Sequence, residues 1–530
     1  MATLEETDFD VIVLGTGLPE SITAGALARA GKKVLHIDSS ELYGGNWSVY
    51  DIKNMLKWVE RCNQASGDAA EQPSSNNDNE ATIQYASSYL SNYRNVTARV
   101  GKDQQEEDIS TEDLDKVLSS DFLDSITPDA SSKQTLAKML KKSRSYNLDL
   151  TPKLLSCKSE LVEVLIRSGV GRYLEFKGVD ELCLFQNGKL ERVPSSKEDV
   201  FNNQAITLID KRKLMRFLTF AVDYQEKPEV MEGFADKPYS QFLEEKFKIF
   251  GQLREAIIYA IAIADAQVDT RTALERTQTF VRSMGRFTKG GYLCPLYGGA
   301  SEIAQAFCRV CAVFGGIYIL NQQLASFTME DGRCTGIVTQ DGQKFNSEWI
   351  ISGLDYLNKQ WLPNKDEYES WVSRAVIVSD KPLVSLEEEA LCYSVFPPGS
   401  DAGNQDAPIY VIHQSAETMA CPKGEYVTYL WKVGDSDASS ELQSAVDLLV
   451  PEDGHVKLSV FYQQRCRQVD LDSQNWHLPA NVIPCSDPNG SLDFNAASNE
   501  ATAAFFKCVP ADTPFMPAQE EEEEVAEDDY

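Results

Sequence analysis

Histidine is scarce: only four, at positions 36, 413, 455 and 477, occur in 530 residues. None stands at metal-ligand spacing, so neither a zinc centre nor a Ser-His-Asp nucleophile is expected. Positive charge is also short, with 50 Lys and Arg against 81 Asp and Glu and a net charge of −31. Such a surface, on average, repels phosphate backbones and anionic headgroups, so no nucleic-acid partner is expected. No apolar run approaches the ~20 residues of a membrane helix. The opening MATLEETDFD lacks the basic and apolar regions of a signal peptide, and the expectation is a cytoplasmic protein. Twelve cysteines are spread thinly from Cys62 to Cys508 and read as reduced, buried thiols rather than a disulfide framework. The one C-x-x-C, Cys308-Arg309-Val310-Cys311, lies in a helical-looking stretch without a second pair, which favours packing over redox or zinc chemistry.

What is present begins with Asp8 to Asp38. The apolar run Val11 to Leu14, a glycine turn, an alanine-rich helix from Pro19 to Ala30 and a strand from Lys33 to Ile37 form a βαβ start. From about Glu60 to Ala137, polar, acidic and small residues prevail, in SGDAAEQPSSNNDNE and GKDQQEEDISTEDLD, and offer little to bury. In ELCLFQNGKLERVP, Asn187-Gly188 predicts a hairpin turn. Helical periodicity then runs from Val200 to Met284, and strands such as IYIL, CTGIVTQDGQKF and WIISGL follow.

Gly15-Thr16-Gly17-Leu18-Pro19-Glu20 ends a strand and opens a helix, and Asp38 stands where a ribose-binding carboxylate belongs. Alone, this predicts a flavin or nicotinamide site. Glu20, however, replaces the third glycine, and its carboxylate competes for the helix N-terminus where a pyrophosphate would lie. Tyr43-Gly44-Gly45 is followed by Asn46, where flavin amine oxidases carry an arginine facing the phosphates. Gly15, Gly17, Glu20 and Asp38 therefore read as a vestigial motif, and no cofactor, metal or catalytic residue is expected.

Several blocks, in order and spacing, carry a resemblance: DVIVLGTGLPES, KVLHIDSSELYGGNW, NLDLTPKLL, RYLEF, KRKLMRFLTF, PLYGG and CRVCAVFGGIY. Together they resemble the superfamily uniting Rab GDP-dissociation inhibitors and Rab escort proteins. Asn46-Trp47, CRVCAVFGGIY and the long acidic insertion and tail resemble the escort branch. The implied fold class is α/β, a large FAD/NAD(P)-binding-like domain of parallel plus antiparallel sheet with an inserted, smaller all-helical domain. Its segments are 1–60, an acidic, largely disordered insertion at 61–137, then 138–195, the helical domain 196–286, 287–512, and an acidic disordered tail at 513–530.

The resemblance implies a Rab-binding platform at Tyr43, Glu302, Arg309 and Ile319. Glu302 and Arg309 are seven residues apart, two helical turns on one face. Without the resemblance they would read as a charge pair on a helix beside a packed tyrosine. It also implies a transferase-binding pair, Phe201 and Arg212, whose alternative is a stapling phenylalanine and a surface charge. The implied partners are GDP-form Rab GTPases, the alpha/beta heterodimer of Rab geranylgeranyltransferase, the geranylgeranyl lipid of the bound Rab, and a transient membrane contact. Burying that lipid, at ~0.8 kcal/mol per methylene, yields on the order of 10 to 16 kcal/mol, which requires an apolar groove. The implied function is that of a non-catalytic escort. A Rab GDP-dissociation inhibitor and a flavin-dependent oxidoreductase are the alternatives.

Overall fold

The computed structural model describes residues 4–65, 80–83, 90–102, 111, 114–194, 199, 207–265, 267–472 and 475–518. The first strand, β1 (Asp8–Leu14), leads through a tight turn into α1 (Leu18–Arg29) and returns as β2 (Val34–Ile37). β1 and β2 pair in parallel, Val11 with Val34 and Leu14 with Ile37, as their continuous apolar runs require of strands buried on both faces. Further along lie α2 (Ile52–Ala65), α3 (Ala130–Lys141), α4 (Leu208–Val222), α5 (Gly299–Val313), the short edge strand β3 (Ile317–Ile319) and α6 (Asn495–Cys508).

The first sheet has β3, β2, β1 and Lys344–Gly353 side by side in parallel, with Val482–Cys485 pairing on the last. Antiparallel strands Arg333–Thr339, Leu324–Glu330 and Glu80–Thr82 extend it. α1, α5 and α6 cover one face. Eleven of the twelve residues of α1 are buried, so the helix is wrapped on all sides and needs no amphipathic stripe. Gly25 lets it approach α5 closely, since a β-carbon there would lie 2.9 Å from the Phe307 carbonyl oxygen.

The second sheet, of eight strands, runs from Lys189–Arg192 through Glu181–Gln186, Cys392–Phe396, Ile409–Gln414, Tyr426–Val433, Glu369–Ser379 and Val456–Arg467 to Tyr93–Val100. The expected hairpin is there: Glu181–Gln186 pairs with Lys189–Arg192 around Asn187 and Gly188, both with positive φ. Helices between Leu208 and Ser283 pack on this sheet in one apolar cluster, in which Phe217, Tyr239, Phe242 and Ile257 join Leu184, Tyr393 and Tyr410. Ala256–Ile261, at the heart of the apolar run IIYAIAIA, is wound as a π-helix with its last five residues buried.

One expectation needs correction. The 61–137 stretch, expected to be largely disordered with little to bury, contains ordered structure. Tyr93–Val100 is an edge strand paired with Val456–Arg467, and Ser120–Ile126 and α3 bury Phe122, Leu123, Leu136 and Met139 in the same core. These apolar residues are few per unit length, and their order comes from pairing with a strand some 360 residues away, Ala98 opposite Val460. The acidic runs inside it, 66–79 and 103–110, lie outside the described residues, as do 519–530.

Candidate functional site

The glycine turn is built as a coenzyme turn but used by the chain itself. Gly15 has φ +99°, and its carbonyl accepts a hydrogen bond from Nε2 of His36 at 2.6 Å. Burial holds His36 down at a pKa of about 4, so the ring stays neutral. Glu20 is buried with its carboxyl against Gly15, Gly17 and Gly353, and a β-carbon on Gly17 would collide with it. Burial pushes the Glu20 pKa well above the usual value, aided by Glu500, Asp38 and Asp487. Asp38 is spent as well. It accepts from the Thr16 amide at 2.8 Å, the Thr16 hydroxyl at 2.6 Å, the Ser40 amide at 2.8 Å and the Tyr356 hydroxyl at 2.9 Å. Four donors saturate a carboxylate that would otherwise bind ribose hydroxyls.

Where a flavin enzyme would aim an arginine, Asn46 is tied inward. Its Nδ2 donates to Asp487 at 3.0 Å and Asp355 at 3.2 Å, and its Oδ1 accepts from Asn92 at 3.1 Å. Arg467, buried at the centre of this network, donates from Nε to Asp487 at 2.6 Å and from Nη2 to Asp355 at 2.7 Å. Burial opposes ionisation of Asp355, but Arg467, Asn92 and Arg465 outweigh it and hold its pKa below the usual value. A cleft of about 590 Å³ remains between Glu20, Asp38, Asn46, Asp355 and Asp487, with Lys57 and Arg61 at its lining. With these acids facing inward and a carboxyl against the turn, the residues do not fit a flavin pyrophosphate.

The turn also positions the loop after β2. The Gly44 amide donates to the Thr16 hydroxyl at 2.9 Å, and Gly44 and Gly45 both take positive φ, so Tyr43 is presented at the surface while Trp47 turns inward to stack on Phe494. Tyr43 lies against Tyr318, ring centroids 6.1 Å apart, and burial together with the Tyr318 hydroxyl pushes its phenol pKa up. On α5, the buried positions face α1, leaving Glu302, Gln305, Arg309 and Val313 along one outward stripe. Burial raises the pKa of half-buried Glu302, and the Arg309 guanidinium sits 4.3 Å above the ring of Tyr173.

Ile319 does not share this surface. On β3, Ile317 and Ile319 pack against the opposite face of the sheet with Leu35 and Ile37, and the residue between them, Tyr318, turns toward Tyr43. Tyr318 and Tyr173 were not singled out in the sequence. The alternation of β3 points to the first, whereas the second reaches Arg309 only through tertiary packing. Cys308 and Cys311 are free, buried thiols whose pKa burial raises to about 12, as packing residues should be.

Of the second pair, Phe201 lies outside the described residues. Arg212 is exposed on α4, near the strongly exposed Leu208 (77%) and Ile209 (66%) at the start of the same helix. Two grooves flank α4. One, of about 680 Å³, is lined by Met215, Phe220, Val230 and Phe247 with Arg216 and Lys246 at its sides. The other, of about 620 Å³, is lined by Leu190, Leu214, Phe250, Leu253 and Ile261. No helix among the described residues is long and apolar enough to cross a membrane.

Fold and site together define a dinucleotide-type α/β scaffold whose phosphate seat is taken by the chain's own carboxyl. The chain belongs to the GDP dissociation inhibitor family, which it matches over residues 5–80 and 124–472. It is similar to the Rab proteins geranylgeranyltransferase component A 2 of Homo sapiens, at 28% identity over 97% of this chain and 92% of that protein. It is also similar to the Rab proteins geranylgeranyltransferase component A of Drosophila melanogaster, at 29% identity over 98% of this chain and 92% of that one. Among solved structures, the Rab GDI from Plasmodium falciparum shares the fold, with a TM-score of 0.66 and 19% identity over 95% of this chain and 98% of that one.

Proposed function

We propose that the chain is an escort for Rab GTPases: it binds the unprenylated GDP form, presents it to a geranylgeranyltransferase, and shields the lipid until membrane delivery. The observation that carries this reading is the self-filled coenzyme turn, whose residues do not fit a flavin pyrophosphate and which favours protein binding by the outer faces over redox chemistry. The near full-length similarity to component A proteins supports it.

In this reading, Tyr43, Glu302 and Arg309, joined by Tyr318, receive the GTPase. A carboxyl acceptor, a guanidinium fork and two phenols suit a polar switch surface with an apolar centre. Phe201 and Arg212 meet the transferase, with Leu208 and Ile209 adding apolar area beside Arg212. One of the two grooves flanking α4 takes the prenyl chain, being lined by Leu, Ile, Met and Phe. The protein contributes no group to bond making. It raises the local concentration of the Rab C-terminus at an active site carried by another chain.

The test is reconstitution with transferase, Rab and prenyl donor. Prenylation that depends on this chain is expected. Extraction of already prenylated Rabs from membranes without support of prenylation would leave a Rab GDP-dissociation inhibitor instead. Flavin absorbance in the purified protein would contradict both.

A further inference from the structure

In a chain of net charge −31, a number of basic side chains on the surface have acidic partners, as Lys33 has Glu6, Lys133 has Asp124 and Arg286 has Glu163. One face departs from this. Along α2, Lys53, Lys57 and Arg61 recur every four residues and are all exposed, one above the other. The end of α3 lies alongside, held by the Lys53 amide donating to Ser143 Oγ at 2.9 Å, and adds exposed Lys141, Lys142 and Arg144. None of the six side chains makes an ion pair or hydrogen bond among the described residues. The acids on α2 and at its start are engaged elsewhere: Glu60 accepts from the Ser119 amide at 3.1 Å and Asp51 from the Asn54 amide at 2.7 Å.

We propose that this six-cation face rests on an anionic lipid bilayer, which would give the membrane delivery proposed for an escort a definite surface. A protein partner is the weaker fit. Protein interfaces rest on desolvated aromatic or aliphatic anchors, and none of the strongly exposed large apolar side chains lies on α2 or between residues 130 and 146 among the described residues. Long, flexible, unpaired cations without an anchor suit a fluid surface of phosphate and carboxylate headgroups. Each cation near such a surface strengthens partitioning roughly fivefold. The attraction is screened beyond about 8 Å at physiological salt, so the acidity of the remote surface does not cancel it at contact. The same acidity keeps other faces off the bilayer and orients the protein.

The test is co-sedimentation of the full-length protein, without Rab, with vesicles of phosphatidylcholine plus phosphatidylserine and with vesicles of phosphatidylcholine alone. Wild type is expected to bind the mixed vesicles only, and to be released by salt. The triple variant Lys53→Glu, Lys57→Glu, Arg61→Glu, two of whose positions also line the cleft at the glycine turn, breaks no described ion pair and is expected to lose binding at least about tenfold. Lys344→Glu, Lys359→Glu, Lys423→Glu, the same charge change at exposed scattered sites, is expected to lose less than half of it. Equal binding to both vesicle types, or equal loss in both triple variants, overturns the proposal. Binding that appears only after deletion of 519–530 assigns the face to the chain's own acidic tail and overturns it too. So does a wild type that ignores vesicles while the first triple variant weakens a protein complex. The proposal rests on charge placement alone, and its failure leaves the prenylation assay untouched.

Discussion

The carboxyl of Glu20 folds back over Gly17, occupying the space a β-carbon would need there. A phosphate oxygen approaching the same turn would meet that carboxyl, not a free helix N-terminus. The chain has thus filled an anion site with its own buried carboxyl, whose pKa burial pushes well above the usual value.

That burial has a pH signature. Burial raises the pKa of Glu20 well above its usual value, and it raises Glu500 from 4.5 to about 7. A carboxyl whose folded pKa is raised contributes stability that is fully present below its unfolded pKa and is lost as pH rises through the folded value. Stability from these two groups therefore falls from pH 4.5 upward, for Glu500 through about pH 7. Glu20→Gln is expected to be more stable than the parent near pH 8, with the difference shrinking toward pH 4. Thermal melts across that range check it, and a variant less stable than its parent at pH 8 would contradict the buried-acid assignment.

Arg467 donates to both Asp355 and Asp487. Replacing it with Met leaves two buried carboxylates without their hydrogen-bonded cation and with only the more distant charge of Arg465, which costs about 3 to 5 kcal/mol. Denaturant titration of Arg467→Met should show that loss with an unchanged slope. A change under 1 kcal/mol would mean the network is solvated and not structural.

The two faces of β3 give different expectations for binding and for stability. Tyr318 lies beside Tyr43, whereas Ile319, partly buried, packs against the apolar cluster on the opposite face of the first sheet. Arg309→Ala and Tyr318→Ala are expected to weaken Rab binding by roughly 1 to 3 kcal/mol while altering stability by less than about 0.5. Ile319→Ala is expected to do the reverse, lowering stability by about 1 kcal/mol or more. Calorimetric titration with a GDP-loaded Rab, paired with thermal melts, measures both.

Phe201→Ala and Arg212→Ala should weaken association with the transferase and spare Rab binding. Arg212 is exposed and lies on α4, an element separate from α5. Pull-down of transferase and of Rab by the same variants decides it. Equal damage to both partners would show that the surfaces are not independent.

Legibility in the sequence followed locality. The βαβ start could be read because its strand, turn and helix are contiguous, and the hairpin at Asn187-Gly188 because two residues specify that turn. Tyr93–Val100 is not legible in the sequence, since alternation over eight residues inside a polar stretch means little until Val456–Arg467 lies beside it. Ile319 was placed by its position in a motif, but which face of an edge strand a residue takes depends on what the neighbouring strand presents. Tyr173 could not be linked to Arg309 from sequence, because 136 residues separate positions that only the packing of α5 brings to 4.3 Å.

By itself the sequence determined the class of scaffold, the replacement of the third glycine by Glu20, and the spacing of Glu302 and Arg309, because each is a matter of residues near one another along the chain. Only the tertiary structure decided that Asp38 is saturated, that Tyr318 and not Ile319 stands by Tyr43, and that six unpaired cations gather on one face. Those depend on side chains from distant segments meeting, and burial, pairing and charge density exist only once they have met.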